Sequence, residues 1–427
     1  MEDKQVPERN FVREKIKNKP LNYRRILMKA AVSALYGVAF ALAVGLTLYV
    51  LMPALRAKWE KSRPVPETQE VSTQETQITS QIQETQKQET QKPEEAKEQS
   101  KREPLSIDDY QRIQTELYAI GNRANRSIVT ITSVVSDTDW FNNSYEREGQ
   151  GCGTIIGDRD DKLFILTEKK VIKDASEIQV TFINDAVATA QLMKYDGNTG
   201  LAVLTVDKEM LEDSTLSAIA VMETGVAGTV HKGSMVIALG SPLGTNYSIL
   251  TGNITAMNNE ISTQDKNYSV YTTDIVANKN GSGILINTEG KMVGVVMQDY
   301  NTASSSTLMA VDVAELEPVL ELLCANRDVP NLGIYVSTVT DKISNKYGLP
   351  KGVFIKEIAM DSPAMSAGLQ SGDVIVKLAG QDVGDVDEFS SVVLGLTVGE
   401  SYPVVVMREG TGGYKKITCK VEAGVLK

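Results

Sequence analysis

Residues 149–182 read GQGCGTIIGDRDDKLFILTEKKVIKDASEIQVTF. Three short runs within this stretch, GTIIG, LFILT and IQVTF, are rich in β-branched and large apolar residues, and turn-forming residues separate them. Runs of this length bounded by turn formers read as strands. The same texture continues on both sides, in SIVTITSVV before it and in LAVLTV, SMVIAL, SVYTTDIV, GILIN and KMVGVVM after it. Many short strands at close spacing indicate an all-β sandwich or a pair of barrels. Helical patterns frame the strands. Ser106 and Asp109 form an S-x-x-D capping signal before DDYQRIQTELYAI, where Tyr110, Ile113, Leu117 and Ile120 share one helical face. VAELEPVLELLCAN then leads to Pro330. Residues 330–427 form a second, smaller unit with strands GVFIKEIA, DVIVKLAG, YPVVVMRE and KKITCKVE and one helical pattern, DVDEFSSVVLGL.

The N-terminal quarter has a different composition. Residues 30–55 run 26 positions without a charge, enough to cross a hydrocarbon core of about 30 Å as a tilted helix. The segment exceeds a signal-peptide apolar region and lacks a small-residue cleavage site, so it reads as a retained transmembrane anchor. Residues 1–29 carry nine Lys/Arg against four acidic residues. That balance places the 1–29 tail in the cytosol and the bulk of the chain outside. Residues 56–104 read as a disordered Gln/Glu/Thr-rich linker, with E-T-Q recurring at 67–69, 75–77, 84–86 and 89–91. Such a segment buries too little apolar surface to offset its ordering entropy, and serves as a tether with a reach of about 35 Å.

Charge and rare residues exclude several function classes. Asp and Glu number 55 against 44 Lys and Arg, a formal charge of −11, which argues against nucleic acid as a partner. The single histidine, His231, excludes multi-histidine zinc sites, and any Ser–His–Asp triad must use it. Cys152, Cys324 and Cys419 are widely spaced with no C-x-x-C, so neither a metal knuckle nor a disulfide framework is supported. No metal or cofactor is expected.

The opening stretch, followed by AQLMKYDGNTGLAVLTVD, GSMVIALGSPLG and TDIVANKNGSGILINTEGKMVGVVM, resembles the first and second barrels of the HtrA/Deg family of trypsin-fold serine proteases. VAELEPVLELL matches the helix that closes that protease domain. NLGIY and GVFIKEIAMDSPAMSAGLQSGDVIVKLAG resemble the PDZ domain that follows it. The resemblance implies a mainly β fold, a double six-stranded β-barrel of trypsin/chymotrypsin type over 105–326. A PDZ domain over 330–427 follows, and a single transmembrane helix precedes both. It also implies folded domains in the periplasm or outside the cell, and a homotrimer, since family members often trimerise through the segment at the barrel's N-terminus.

The catalytic positions depart from the family pattern. Where the family carries its histidine, LTEKKVI places Lys170; where it carries its aspartate, TGLAVL places Gly200. The nucleophile motif becomes NGSGILIN, one residue shorter. Aligned from Asn278, Ser282 takes the nucleophile position; aligned from Leu285 and Asn287, Gly281 takes it. A serine hydroxyl is a poor nucleophile without a base in hydrogen-bond reach, and triad members act as a unit. The shortened loop is expected to shift the N–H groups of the oxyanion hole. His231, in TVHKGSMVIAL, reads as a surface residue, and Asp196 as a turn residue. Lys170 sits in a charged, wet neighbourhood, whereas a lysine base must be desolvated. A membrane-tethered pseudoprotease is therefore expected, with two alternatives: an active endopeptidase using Ser282 and Lys170, and an interaction scaffold.

The PDZ-like unit keeps more of its machinery. A peptide carboxylate is captured by successive backbone N–H groups while the peptide adds as a strand to an exposed edge. The resemblance assigns the nest to Leu332, Gly333 and Ile334 and the edge strand to Ile334, Tyr335 and Val336. It assigns an apolar pocket to Phe389 and Val393. The expected partners are unfolded polypeptides or exposed C-termini.

Overall fold

The computed structural model describes residues 106–138, 144–301 and 306–426. The 1–29 tail, the 30–55 span and the 56–104 linker all lie outside the described residues. Among the described residues, no helix is long and apolar enough to cross a membrane.

Helix α1 (Ile107–Ala124) starts at the capping signal. Ser106 Oγ accepts from the Asp109 N–H at 3.2 Å, and the Asp109 carboxylate accepts from the Ser106 N–H at 2.9 Å. Its apolar face packs only toward the C-terminal end. Leu117 is buried and Ile120 half-buried, while Tyr110 and Ile113 stay exposed.

The described residues are mainly β: two closed six-stranded barrels followed by a smaller unit built on a separate sheet. The first barrel comprises β1 (Ile128–Thr138), β2 (Ser144–Arg159), β3 (Lys162–Glu168), β4 (Glu177–Thr181), β5 (Val187–Tyr195) and β6 (Leu201–Asp207). These close in the order β1-β2-β3-β6-β5-β4. A one-turn helix, α2 (Lys169–Ile172), follows β3, and α3 (Asp213–Ala218) follows β6. The second barrel comprises β7 (Met235–Ser241), β8 (Ser248–Ser262), β9 (Asn267–Val276), β10 (Ser282–Ile286), β11 (Met292–Val296) and β12 (Thr307–Asp312). It closes in the order β10-β11-β12-β9-β8-β7. Helix α4 (Val313–Cys324) then caps the first barrel's β3 and β6.

That cap explains why LFILT and LAVLTV are unbroken apolar runs rather than alternating ones. Ile165, Leu204 and Val206 fill the first barrel. Phe164 and Val203 face outward against Val319, Leu322 and Leu323 of α4. Leu166 and Leu201 join the cluster at the barrel junction. A strand buried on both faces carries no period-2 signal.

The last unit holds β13 (Pro330–Asn331), β14 (Ile334–Thr338), β15 (Val353–Ile358), β16 (Val374–Leu378), β17 (Gln381–Asp382), β18 (Ser401–Gly410), β19 (Gly413–Glu422) and β20 (Gly424–Val425). Its helices are α5 (Asp341–Tyr347), α6 (Pro363–Ser366) and α7 (Val386–Leu394). The sheet runs β14-β15-β16-β18-β19, with β17 on β16, while β13 pairs with β20. β14 is therefore an edge strand. A separate core of Leu332, Ile334, Val336, Ile355, Phe389 and Val393, among others, lies between sheet and α7. At its margin, Arg408 makes a two-pronged ion pair with the buried Asp373, Nε and Nη2 each donating at 2.7 Å. Burying the Asp373 carboxylate costs solvation that this attraction offsets.

Candidate functional site

Ser282 opens β10 and pairs with Ser241 of β7, its side chain buried at the junction of the two barrels. The residue before it, Gly281, belongs to the preceding turn. Its N–H donates to the Asn278 carbonyl at 3.0 Å, and the Asn278 N–H donates to that of Pro242 at 2.9 Å. Gly283, just after the serine, has φ +135°, and a Cβ there would lie 2.0 Å from the Leu239 carbonyl oxygen. Only glycine permits that approach. Ser282 lines a small cavity with Cys152, Thr154, Glu168, Gly283 and Val295. Burial pushes the Cys152 thiol up to about 12, so the cavity holds no thiolate at neutral pH.

Lys170, in the one-turn α2, is held by two carboxylates. Its Nζ lies 2.6 Å from Glu168 Oε2 and 3.0 Å from Asp299 Oδ2. Burial alone would lower the ammonium's pKa, but the hydrogen bonds and charges of Glu168 and Asp299 outweigh it and the pKa is raised. Lys170 is thus a cation at neutral pH, and among the described residues no hydrogen bond joins it to Ser282. The neighbourhood is less wet than the sequence implies, because the Glu168 side chain is only 13 % exposed. Burial raises the Glu168 pKa despite Lys170, and its buried Oε1 has no hydrogen-bond partner.

Gly200 ends a tight turn. Its N–H donates to the Asp196 carbonyl, its own carbonyl accepts from the Lys169 N–H at 2.7 Å, and its φ is +74°. The left-handed backbone accounts for glycine here, yet a Cβ would meet nothing within 4 Å. The buried Asp196 carboxylate caps this turn, accepting from the Asn198 and Thr199 N–H groups and the Thr199 hydroxyl. Asn198 also contacts the β8–β9 hairpin, with Nδ2 donating to the Gln264 carbonyl at 2.7 Å and Oδ1 accepting from the Gln264 N–H at 3.0 Å. His231 is exposed in the turn before β7, where its backbone N–H donates to Ser234 Oγ.

The Leu332–Ile334 nest already surrounds a carboxylate. The tip of the β8–β9 hairpin places Asp265 against it. Asp265 Oδ2 accepts from Leu332 N–H at 2.6 Å, Gly333 N–H at 3.1 Å and Asn331 Nδ2 at 2.9 Å, and Oδ1 accepts from Ile334 N–H at 3.1 Å. The Asp265 N–H donates to the Ile334 carbonyl at 2.7 Å, and the Ser390 hydroxyl of α7 donates to the Asp265 carbonyl at 2.6 Å. Gly333 has φ +81°, and a Cβ there would sit 2.4 Å from Ser362 Cβ, so the nest depends on glycine. Tyr335 is half-buried, while Leu332, Ile334, Val336 and Phe389 are fully buried and Val393 nearly so.

Burial pushes the Asp265 carboxyl from 3.8 up to about 6, the three backbone donors opposing and Asp196 adding to the rise. The Lys266 ammonium beside it donates to the Glu315 carbonyl and lies over the Tyr268 ring. A carboxyl that binds its proton more tightly when docked stabilises docking fully below about pH 4, and that contribution is lost as the pH rises through about 6. Exchange of the Leu332–Ile334 amides, corrected for intrinsic rate, is therefore expected to rise on the order of tenfold from pH 5 to 7.5. Exchange that slows over this interval would contradict the assignment.

Comparison with known proteins places these features. Residues 151–295 match the trypsin-like peptidase domain family and residues 330–421 the PDZ domain family. The serine protease Do-like HtrB of Bacillus subtilis (strain 168) is 31% identical over 278 residues, covering 60% of this chain and 59% of that protein. The chain is similar to the HtrA/DegP serine proteases across its peptidase-like and PDZ regions. A probable periplasmic serine endoprotease, DegP-like, of Hahella chejuensis is 30% identical over 287 residues, covering 64% of this chain and 58% of the relative. Against these two HtrA/DegP relatives the chain thus spans a little under three fifths of their length. The HtrA-type protease AlgW solved with a decapeptide has the same fold, at TM-score 0.53 and 22% identity over 72% of this chain and 98% of that one.

Sequence reasoning did not single out Glu168, Asn198 or Asp265. Glu168 stands among charged neighbours that suggest solvent. Asp265 reads as one more turn residue, and only the three-dimensional placement of its hairpin reveals the nest around it.

Proposed function

We propose that the chain is a membrane-tethered, catalytically degenerate HtrA-like protein whose PDZ domain takes up exposed C-termini or unfolded segments outside the cytosol. The observation that carries the loss of catalysis is the engagement of Lys170. The residue at the histidine position is a cation held by Glu168 and Asp299, and a protonated amine cannot accept a proton from Ser282. The turn just before Ser282, in which the Gly281 N–H donates to the Asn278 carbonyl, belongs to the shortened motif expected to shift the oxyanion-hole N–H groups. The active alternative needs Lys170 neutral and turned to Ser282. Peptide binding is supported by the geometry of the nest, whose three N–H groups converge on the Asp265 carboxylate. The related AlgW structures with a decapeptide and a tripeptide add support.

Casein turnover, argued in the Discussion, tests the catalytic half. The anchor rests on the uncharged 30–55 segment and the basic 1–29 tail. Added protease is expected to remove a C-terminal tag from intact cells and to spare an N-terminal one. The opposite pattern would reverse the orientation, and loss of both tags would remove the anchor.

A further inference from the structure

The peptide site of the PDZ domain is filled by a residue of the second barrel. A C-terminal peptide residue would offer this site a carboxylate for the nest and a backbone N–H for the β14 edge. Asp265 supplies both groups. Its side-chain carboxylate takes the nest donors, and its N–H pairs with the Ile334 carbonyl. Further contacts hold the hairpin in place: Ser390 Oγ to the Asp265 carbonyl, and Lys356 Nζ of β15 to Ser262 Oγ at 3.1 Å.

We infer that Asp265 is a built-in mimic of a C-terminal carboxylate, so that a peptide enters the PDZ site only by displacing the tip of the β8–β9 hairpin. This inference rests on the peptide-binding reading above and adds its regulation. The displaced tip would also release its two Gln264 hydrogen bonds to Asn198, in the turn that ends at Gly200. Ligand uptake at one domain thus loosens a loop of the other barrel.

Fluorescence anisotropy on the full chain in detergent micelles tests this. The probes are fluorescein-labelled decapeptides ending in Val, Leu or Phe, each as the free acid and as the C-terminal amide. Asp265→Ala is expected to bind the free acids at least tenfold more tightly than the unsubstituted chain, with the amides binding more weakly than the acids in both forms. Asp265→Asn, which keeps the shape but sets an amide N–H2 in place of one of the two acceptor oxygens facing the nest, is expected to give a smaller gain in the same direction. If the unsubstituted chain and Asp265→Ala bind the free acids equally well and both prefer acid to amide, Asp265 is no competitor and the inference falls, while the peptide-binding reading stands. If no form prefers acid to amide, both fall. A second measurement uses the unsubstituted chain alone, in case the variants misfold. Saturating free-acid peptide should accelerate amide exchange across residues 262–267, and bound peptide without acceleration overturns the inference.

Discussion

Unfolded casein incubated with the purified chain is expected to stay intact, and Ser282→Ala to leave that result unchanged. Three independent features lead to this expectation. The position that should hold a base carries a lysine whose ammonium sits between Glu168 and Asp299, with its pKa raised. The position that should orient a base carries Gly200, whose backbone serves the turn instead. The nucleophile motif is one residue short, which is expected to displace the oxyanion-hole N–H groups beside Ser282. Losing a triad base alone typically costs roughly six orders of magnitude in kcat, and losing an oxyanion donor about 3–4 kcal/mol more. Lys170→His by itself is not expected to rescue cleavage, because nothing at Gly200 would set the imidazole's tautomer or stabilise its charged form. Cleavage abolished by Ser282→Ala would sink the pseudoprotease reading. Glu168, the buried carboxylate lining the same cavity, would then be the next base to substitute.

Phe389→Ala is expected to destabilise the PDZ unit by about 3–5 kcal/mol, the usual cost of emptying a fully packed aromatic site. The side chain has no solvent exposure and belongs to the core that includes Leu332, Ile334, Val336 and Ile355. Urea unfolding followed by far-UV circular dichroism, or exchange of the β14 and β18 amides, would read the loss. The result also decides what the residue does. A ring lining an open groove could be truncated with a stability change under about 1 kcal/mol, and that outcome would make Phe389 a ligand contact.

Much of this was legible in the sequence because each feature has a local signature. The α1 cap follows from Ser106 and Asp109 alone, and GTIIG, LFILT and IQVTF fall in β2, β3 and β4. Strands β5, β8 and β12 lie outside the runs that mark the other barrel strands. β8 interrupts its apolar residues with Gly252, Asn253 and Asn259 and changes register twice against β9, so no regular period survives. The substitutions at Lys170 and Gly200 were readable because motifs flank them. The partners of Lys170 were not all readable, since Asp299 lies 129 residues away in the chain. The same holds for Asp265 and its nest, 67 residues from Leu332, whose meeting depends on how the hairpin and the PDZ domain dock.

The β8–β9 hairpin has a consequence for how the molecule would report on its surroundings. Because the competitor is covalently part of the same chain, its effective concentration is fixed by geometry and cannot be diluted. Uptake then depends on the absolute concentration of free peptide ends, and copy number of the protein leaves that threshold unchanged. The threshold lies above the intrinsic affinity by the ratio of docked to undocked hairpin, a tenfold rise for each 1.4 kcal/mol of docking. Substitutions at Gln264, Ser262 or Lys356 would therefore move the set point of the response without touching the nest that recognises the peptide.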